Sequence, residues 1–153
     1  MRRLVVPVLA LLFACSSQTS ATTAGCSFPS TATFSHRTQL HVSIASDDAS
    51  RERGLMGVTQ LGANDGMAFT WDAPQDATFW MKDTLIPLSI AFVDADGKVI
   101  TLREMTPCTS DPCQAYAADG PYTTALEANA NWFTDHHVKV GDTMTLTSAG
   151  CPS

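Results

Sequence analysis

Apolar and polar positions alternate along much of the chain, which is the pattern of half-buried β-strands. Leu40, Val42 and Ile44 alternate with polar or small residues and predict one such strand. Apolar, aromatic and β-branched residues bounded by turn residues predict further strands at 66–71, 77–81, 88–93, 98–105, 123–127 and 143–147. The chain is therefore expected to be rich in β-structure.

Turns and brief helices separate these strands. Residues 94–97, Asp-Ala-Asp-Gly, predict a hairpin with Gly97 at positive φ, and residues 72–76 predict a turn. Asp47 offers an N-cap for a short helix to about Leu55, and 129–137 suits one or two helical turns. We expect a mainly β fold with a minor helical part: a β-sandwich or barrel-like antiparallel sheet with one or two short helices.

The first 25 residues are predicted to direct export. A basic start and the apolar run Leu4–Ala14 form a signal peptide over 1–14, too short for a membrane-spanning helix of about 20 residues. Cys15 resembles the lipidated cysteine of bacterial lipoproteins; an ordinary signal cleaved after Ala21 or Ala24 is the alternative. Residues 15–25 are a Ser/Thr-rich tether, and 26–153 form the single domain.

The charge of the chain restricts its partners. Cleavage before Cys15 leaves seven basic against fifteen acidic residues and changes the formal charge from −6 to −8. An acidic domain is unsuited to nucleic acid or to anionic lipid, so we expect membrane contact only through the lipid anchor. The expected location is extracytoplasmic, in the periplasm or at the cell surface, and the expected state is a monomer.

Four cysteines remain after Cys15: Cys26, Cys108, Cys113 and Cys151. An even number in an oxidising compartment predicts two disulfides, for which three connectivities are possible. We favour Cys26–Cys151, which joins the ends of the domain, with Cys108–Cys113, which closes a short loop. A thiolate metal site at the latter pair is the weaker alternative because no further ligand pair lies at a suitable spacing.

Four blocks of sequence occur in a distinctive order: RERGLMGVTQL at 51–61, a long segment over 66–100 containing FWMKDTLIPL, ALEANANWF at 125–133, and Gly-Asp at 141–142. Together they resemble the family known as domain of unknown function 192 (DUF192), over about residues 40–146. The resemblance implies a β-sandwich-like fold and implies no particular reaction or ligand.

The segment at 79–82 contains the first candidate site residues. A strand there would turn Phe79 and Met81 to one face and Trp80 and Lys82 to the other. An aromatic ring beside a cation suits a sugar ring or an anionic ligand. Alternatively, Trp80 is a core residue and Lys82 a solvated strand end; the resemblance to the family favours a functional Lys82.

Two departures from the family pattern lie nearby. The family commonly has Asn where this chain has Asp83 and Asp where it has Ser89. We hypothesise that one acidic group is needed near Lys82 or Arg51 and that its position is exchangeable; alternatively, neither position takes part in chemistry.

Glu127 is an acid within an apolar strand. Such a carboxylate is either a general base with a raised pKa or the partner of a buried cation, and we favour an ion pair with Arg51 or Lys82. Asn131 stands where the family usually has Gly and is expected to keep left-handed backbone geometry. Trp132 and Phe133 are expected to pack the following helix onto the sheet.

No metal or cofactor is predicted. Asp135-His136-His137 invites a metal site, but neighbouring histidines on a helix do not face one ion. Residues 94–97 lack the later ligands of a calcium loop. The five methionines of the exported chain are dispersed, which favours core packing over copper binding; they are Met56, Met67, Met81, Met105 and Met144.

The sequence contains no nucleophile elbow, phosphate loop or HExxH motif. The leading hypothesis is a non-catalytic extracytoplasmic domain that binds a small polar ligand or an envelope component. Its candidate binding residues are Arg51, Trp80, Lys82, Asp83, Ser89 and Glu127. The alternatives are an envelope carbohydrate hydrolase or lyase using Glu127 or Asp83 as acid/base, and a structural lipoprotein that binds another envelope protein.

Overall fold

Seven strands form one sheet in the computed structural model of the protein, which describes residues 28–148, and two more form a small second sheet. The elements of this part of the chain are β1 (Ser30–Phe34), β2 (Gln39–Ala45), α1 (Asp48–Arg53), β3 (Asp65–Gln75), β4 (Phe79–Trp80), β5 (Leu88–Val93), β6 (Val99–Met105), β7 (Ala115–Tyr116), β8 (Tyr122–Asn129), α2 (Trp132–Asp135) and β9 (Met144–Ser148). The large sheet has the order β6-β5-β8-β3-β2-β1-β9, and β4 pairs with β7.

The large sheet curls until its two edges meet. All neighbouring strands are antiparallel except β2 and β3, which are parallel and are joined by the crossover that contains α1. At the edges, Lys98 pairs with Thr143, and the Val99 N–H donates to the Asp142 carbonyl at 2.8 Å. The expectation of a mainly β, barrel-like fold with two short helices is confirmed, with a mixed rather than wholly antiparallel sheet.

Two hydrophobic cores lie on opposite faces of this sheet, because neighbouring residues of a strand point to opposite sides. Leu126 belongs to the first core and Ala125 to the second. The first core contains Phe34, Leu40, Val42, Trp132, Phe133 and Met144. The second core lies beneath the segments that follow β3 and β6 and contains Phe69, Met81, Ile90, Phe92, Met105 and Tyr122. Three predicted core methionines are thus confirmed, and Met67 packs against the second core.

Both helix starts follow the sequence-based predictions. The Asp47 side chain caps α1 by accepting the Ser50 N–H at 2.9 Å, which lowers the pKa of Asp47, and Ser50 completes a capping box. Asn131 precedes α2 with φ of 65°, the left-handed geometry expected there. Trp132 and Phe133 are 3% and 1% exposed and pack α2 onto the sheet, also as expected.

The predictions fail between β3 and β4. Residues 72–75, predicted as part of a turn, continue β3 to Gln75, and the strand predicted over 77–81 shrinks to the two residues of β4. β1 and β7 were not predicted. Their short runs contain too few alternating apolar residues to distinguish them from loops, and β7 exists because its partner β4 supplies the hydrogen bonds.

Several predictions concern residues beyond those described: the signal peptide over 1–14, the lipidation of Cys15, the tether over 15–25 and the Cys26–Cys151 disulfide. Within residues 28–148, no helix combines the length and apolar character that crossing a membrane requires.

Candidate functional site

Glu127 is a buried carboxyl group on the face of the sheet that carries the second core. Its partners across the neighbouring strands are Ile90 on β5 and Met67 on β3, so all three side chains share that face. Glu127 is 4% exposed, and burial alone raises the pKa of its carboxyl group to about 8. No hydrogen bond or ion pair from residues 28–148 reaches this carboxylate.

The ion pair favoured from the sequence is therefore wrong. The Arg51 guanidinium donates to the Thr70 carbonyl and to the Asp48 carboxylate, at 2.8 Å each. Lys82 binds Asp111 at 2.9 Å, and this hydrogen bond raises the pKa of Lys82. Both cations are engaged elsewhere, and Glu127 is left without a charged partner among the described residues.

Glu127 opens into a small cavity of about 40 Å³ between α1 and β4. Every fully enclosed polar side-chain atom within residues 28–148 has a hydrogen-bond partner, so the unpaired Glu127 oxygens must keep contact with this space. A second cleft of about 200 Å³ adjoins it and shares five lining residues: Arg51, Glu52, Phe69, Phe79 and Trp80. We call the two spaces together the aromatic cleft. Its other lining residues include Thr84 beside Glu127, and Trp71, Thr78 and Tyr122 in the larger part.

The walls of the aromatic cleft are rings packed edge to face. Phe79 lies 5.0 Å from Phe69 and 5.5 Å from Phe92, measured between ring centroids, and Trp71 lies 5.4 Å from Tyr122. The Tyr122 hydroxyl donates to the Ala77 carbonyl at 2.9 Å. Trp80 differs, because it is 54% exposed. The cleft therefore has rigid inner walls and one accessible indole at its rim, and the alternative that Trp80 is a core residue is wrong.

Arg51 is the cation beside the aromatic residues. Its guanidinium carbon lies 5.2 Å from the Trp71 ring centroid, and its side chain is 18% exposed. The aromatic–cation pairing expected for Trp80 and Lys82 is thus made by Trp71 and Arg51. Arg51 also ties α1 to β3 through the Thr70 carbonyl, which holds one wall of the cleft in place.

Lys82 and Asp83 do not line the aromatic cleft; they hold the loop that contains the disulfide. The predicted Cys108–Cys113 disulfide is present, with the two Cα atoms 5.8 Å apart. The Asp83 N–H donates to the Cys108 carbonyl at 2.8 Å, and Lys82 binds Asp111 inside the same loop. The Lys82 side chain, expected from the sequence to bind a ligand, to pair with Glu127 or to be a solvated strand end, instead pairs with Asp111 of this loop.

A larger cavity, of about 730 Å³, is also lined by α1 and the residues that follow it. Phe28, Leu55, Met56 and Leu61 are among its apolar residues. Its charged residues, Asp47 and Arg53, are exposed, and it contains none of the six candidate residues. Because it lacks a buried polar group that would orient a ligand, the smaller aromatic cleft is the better candidate.

His136 has a packing role. Its ring stacks on Trp132 with centroids 4.3 Å apart, and its Nδ1 lies 2.8 Å from the Trp132 carbonyl oxygen. No group of three His, Cys, Asp or Glu side chains converges on a metal-sized site within residues 28–148.

The model of the DUF192 family, described as an uncharacterized ACR, matches residues 30–146. The chain belongs to this family. A solved protein of unknown function from Novosphingobium aromaticivorans is 34% identical, with a TM-score of 0.69 over 76% of this chain and 83% of that chain. A putative transcription regulator from Sinorhizobium meliloti is 27% identical, with a TM-score of 0.68 over 76% of this chain and 90% of that chain. No curated protein matches the chain.

The two departures from the usual DUF192 sequence have separate structural reasons. Asp83 is exposed and has φ of 53°, a left-handed conformation in which Asn and Asp are the favoured residues after Gly. Ser89 neighbours Ile90 on β5 and so points to the face opposite Glu127. The hypothesis of an exchangeable carboxylate near Lys82 or Arg51 is therefore wrong, since the two positions serve different parts of the fold.

Ser89 of this DUF192 member is buried and belongs to a hydrogen-bond network whose other members, Glu104 and Asn131, are exposed. Its hydroxyl oxygen lies 2.6 Å from both carboxylate oxygens of Glu104 on β6. The Asn131 N–H donates to Ser89 at 2.7 Å and to Glu104 at 3.0 Å. Glu104 thus supplies a carboxylate beside Ser89, and the network holds the start of α2.

Sequence reasoning found Glu127, Arg51 and Trp80 and missed most of the aromatic walls. A signal for the walls existed, because Phe69 and Trp71 alternate on one strand and so share a face. Glu52 was missed because a charged residue on a short exposed helix carries no signal of its own. Glu104 was missed because its role depends on its partner across β5 and β6.

Proposed function

We propose that this DUF192 protein is an extracytoplasmic, lipid-anchored domain that binds a small polar ligand in the aromatic cleft without transforming it. One observation carries the proposal: the carboxyl group of Glu127, a residue that is 4% exposed, lacks a protein partner in residues 28–148 and faces a cavity. Burying such a group without compensation costs stability, and a bound ligand would supply the missing hydrogen bonds.

The remaining lining suits binding. Aromatic rings offer broad apolar contact, and Trp80 at the rim offers a ring face to an entering ligand. Among the described residues, no Ser, His or Cys lines the aromatic cleft, so the Ser–His and Cys–His pairings of nucleophilic catalysis are missing from it. Export and anchoring are supported by the signal-like sequence of residues 1–15, which ends in a cysteine. The net negative charge of the chain supports a ligand other than nucleic acid.

The three tryptophans of the chain allow a direct test. Trp71 and Trp80 line the aromatic cleft, whereas the Trp132 indole N–H donates to Asn64 at 3.1 Å and its ring packs in the first core. Small alcohols, amides, amines and sugars would be titrated into the ¹⁵N-labelled protein while the indole N–H resonances are followed by NMR. A ligand of the cleft is expected to shift the Trp71 and Trp80 signals and to leave Trp132 in place.

Matched variants locate the binding. Glu127→Gln and Trp80→Ala are each expected to weaken a ligand by about tenfold, because they remove the buried polar partner and the rim ring. Lys82 lies two residues after Trp80 but does not line the cleft. Lys82→Met is therefore expected to change the affinity less than about twofold. If no compound shifts the two indoles at millimolar concentration, or if all three shift together, the proposal is rejected.

A carbohydrate hydrolase or lyase remains the second candidate, favoured by one observation. Glu52 and Glu127 are two carboxyl groups lining the same cavity, and the raised pKa of Glu127 keeps it protonated at neutral pH, as a general acid requires. Asp83, the other acid/base considered from the sequence, does not line the cleft. Turnover of envelope oligosaccharides that disappears in Glu127→Gln would establish it. Binding without turnover would support the first proposal.

A further inference from the structure

The dimensions of the aromatic cleft restrict the group that reaches Glu127. The inner cavity of about 40 Å³ has room for a group of the size of one or two water molecules, whereas the adjoining cleft of about 200 Å³ accepts several more atoms. A ligand that fills both spaces therefore has a small polar head at Glu127 and a less polar body between the aromatic walls.

The charges around the cleft are satisfied except at Glu127. Arg51 is paired with Asp48 and stacked over Trp71, and Arg53 and Glu52 are exposed charges of opposite sign on the same short helix. Of the charged side chains from residues 28–148 that line the aromatic cleft, Glu127 alone is buried and unpaired. The head group that complements Glu127 in its ionised form is a hydrogen-bond donor that carries positive charge.

The aromatic walls favour the same charge. A cation near the face of Trp, Tyr or Phe is attracted by the ring quadrupole, and Arg51 over Trp71 is already such a contact in this cleft. An anionic head group would meet the Glu127 carboxyl group, which disfavours it, whereas the charge of Arg51 is paired with Asp48 and that of Arg53 is exposed to solvent and screened.

We propose that the aromatic cleft binds a primary amine, with its ammonium group on the Glu127 carboxylate and its carbon chain against Phe79 and Trp80. This inference rests on the proposed function and adds the chemical class of the ligand. The bound ammonium group would compensate the buried charge, so binding at neutral pH ionises Glu127 and releases its proton to the solvent. The other titratable groups facing the cleft are Arg51, Glu52, Arg53 and Tyr122. Burial and the nearby Asp76 raise the pKa of Tyr122 to about 12, so Tyr122 keeps its proton.

Three compounds of equal chain length make the test. n-Butylamine, n-butanol and sodium butyrate would be titrated into the protein at pH 7, with affinity read from the Trp71 and Trp80 indole resonances. n-Butylamine is expected to bind about tenfold or more tightly than n-butanol, and butyrate more weakly than both. Calorimetry in two buffers of different ionisation enthalpy is expected to show release of about one proton per amine bound and none with n-butanol.

Variants of the two carboxyl groups that line the inner cavity, the buried Glu127 and the exposed Glu52, show which of them binds the ammonium group. Glu127→Gln keeps the size of the side chain and is expected to reduce the preference for amine over alcohol to about twofold or less, without proton release. Glu52→Gln removes an exposed charge on the same cavity and is expected to keep both the preference and the proton release. Loss of the preference in Glu52→Gln but not in Glu127→Gln would overturn the assignment to Glu127.

The outcomes also separate this inference from the proposed function. If n-butanol or butyrate shifts the cleft indoles as strongly as the amine, the cleft binds ligands and the amine assignment is rejected. If none of the three shifts them, the amine assignment fails, and only binding by the broader panel of alcohols, amides, amines and sugars would preserve the proposed function.

A free amine and the side chain of a peptide lysine present the same ammonium group. Nα-acetyl-lysine methylamide distinguishes these sources, because its blocked backbone lies five bonds or so from the nitrogen and would contact the rim at Trp80. Tighter binding of this compound than of n-butylamine would indicate a peptide ligand, and weaker binding would indicate a free small amine.

Discussion

Ser89 and Glu104 face each other across β5 and β6, with the serine hydroxyl 2.6 Å from both carboxylate oxygens of the glutamate. The Asn131 N–H donates to both residues, so the pair connects the sheet to the start of α2. A hydrogen bond to a charged group contributes more than one between neutral groups, roughly 1.5–3 kcal/mol. This contact links the Ser89 departure from the DUF192 pattern to the fold instead of to the aromatic cleft.

The Ser89–Glu104 pair is expected to behave as a coupled unit. Ser89→Asp should be destabilising because it places a second carboxylate beside Glu104, and Glu104→Gln should relieve this repulsion in the double variant. We expect a coupling free energy of about 1–2 kcal/mol, measured by urea unfolding of the wild type, both single variants and the double variant. Additive effects within about 0.5 kcal/mol would contradict the pairing.

Stability is expected to fall as pH rises through the range set by Glu127. Its carboxyl group ionises at about 8 in the folded protein, against an ordinary value of 4.5, so between these values unfolding releases a proton. The free energy of unfolding should therefore decrease by up to about 1.4 kcal/mol per pH unit over this window, with no further contribution from Glu127 above or below it. Urea unfolding at pH 5, 6, 7 and 8 measures the slope.

Glu127→Gln is the variant that isolates this effect. The substitution is expected to remove the Glu127 part of the slope and to raise the free energy of unfolding at pH 7 by up to about 3 kcal/mol. Glu52→Gln, at an exposed position on the same cavity, should follow the wild-type curve. A wild type and a Glu127→Gln variant with parallel pH profiles would show that Glu127 has a partner or ionises normally.

Arg51 is expected to stabilise the fold through Thr70 and Trp71 more than through Asp48. Arg51→Lys should cost about 1 kcal/mol, because an ammonium group does not reproduce the guanidinium bonds to a carbonyl and a carboxylate together. Asp48→Ala removes only the fully exposed partner and should cost less than about 0.5 kcal/mol beyond its local effect on the helix. Urea unfolding monitored by tryptophan fluorescence compares the two, and equal losses would contradict this ranking.

The Cys108–Cys113 disulfide is expected to stabilise the domain modestly. A loop of this length gives about 2 kcal/mol in the chain-entropy treatment, so the Cys108→Ala/Cys113→Ala variant should lose about 2 kcal/mol of unfolding free energy and unfold at a lower urea concentration. Asp111→Asn should leave the midpoint nearly unchanged, because its ion pair with Lys82 is solvent-exposed on the Asp111 side. An unchanged midpoint in the alanine variant would mean that β7 and the Asp83–Cys108 hydrogen bond hold the loop unaided.

Local structure could be predicted where the residues that determine it lie close together in the sequence. Asp47 and Ser50 cap a helix because each reaches the other's backbone, and Gly97 turns the β5–β6 hairpin because it accepts a φ of 77°. β4 could not be predicted correctly, because its partner is β7, more than thirty residues later, instead of the neighbouring β3. Pairing between distant strands depends on the whole sheet, and no local pattern encodes it.

The sequence by itself determined the DUF192 membership, the β-rich composition, the capped helix and the short disulfide loop, because each depends on residues close together or on an ordered set of motifs. Only the tertiary structure decided the environment of Glu127. Its neighbours come from α1, β3, β4 and β5, and the strand order sets which charges meet. Arg51 pairs with Asp48 and Lys82 pairs with Asp111, so Glu127 is a buried carboxyl group that faces the aromatic cleft without a charged partner among the described residues.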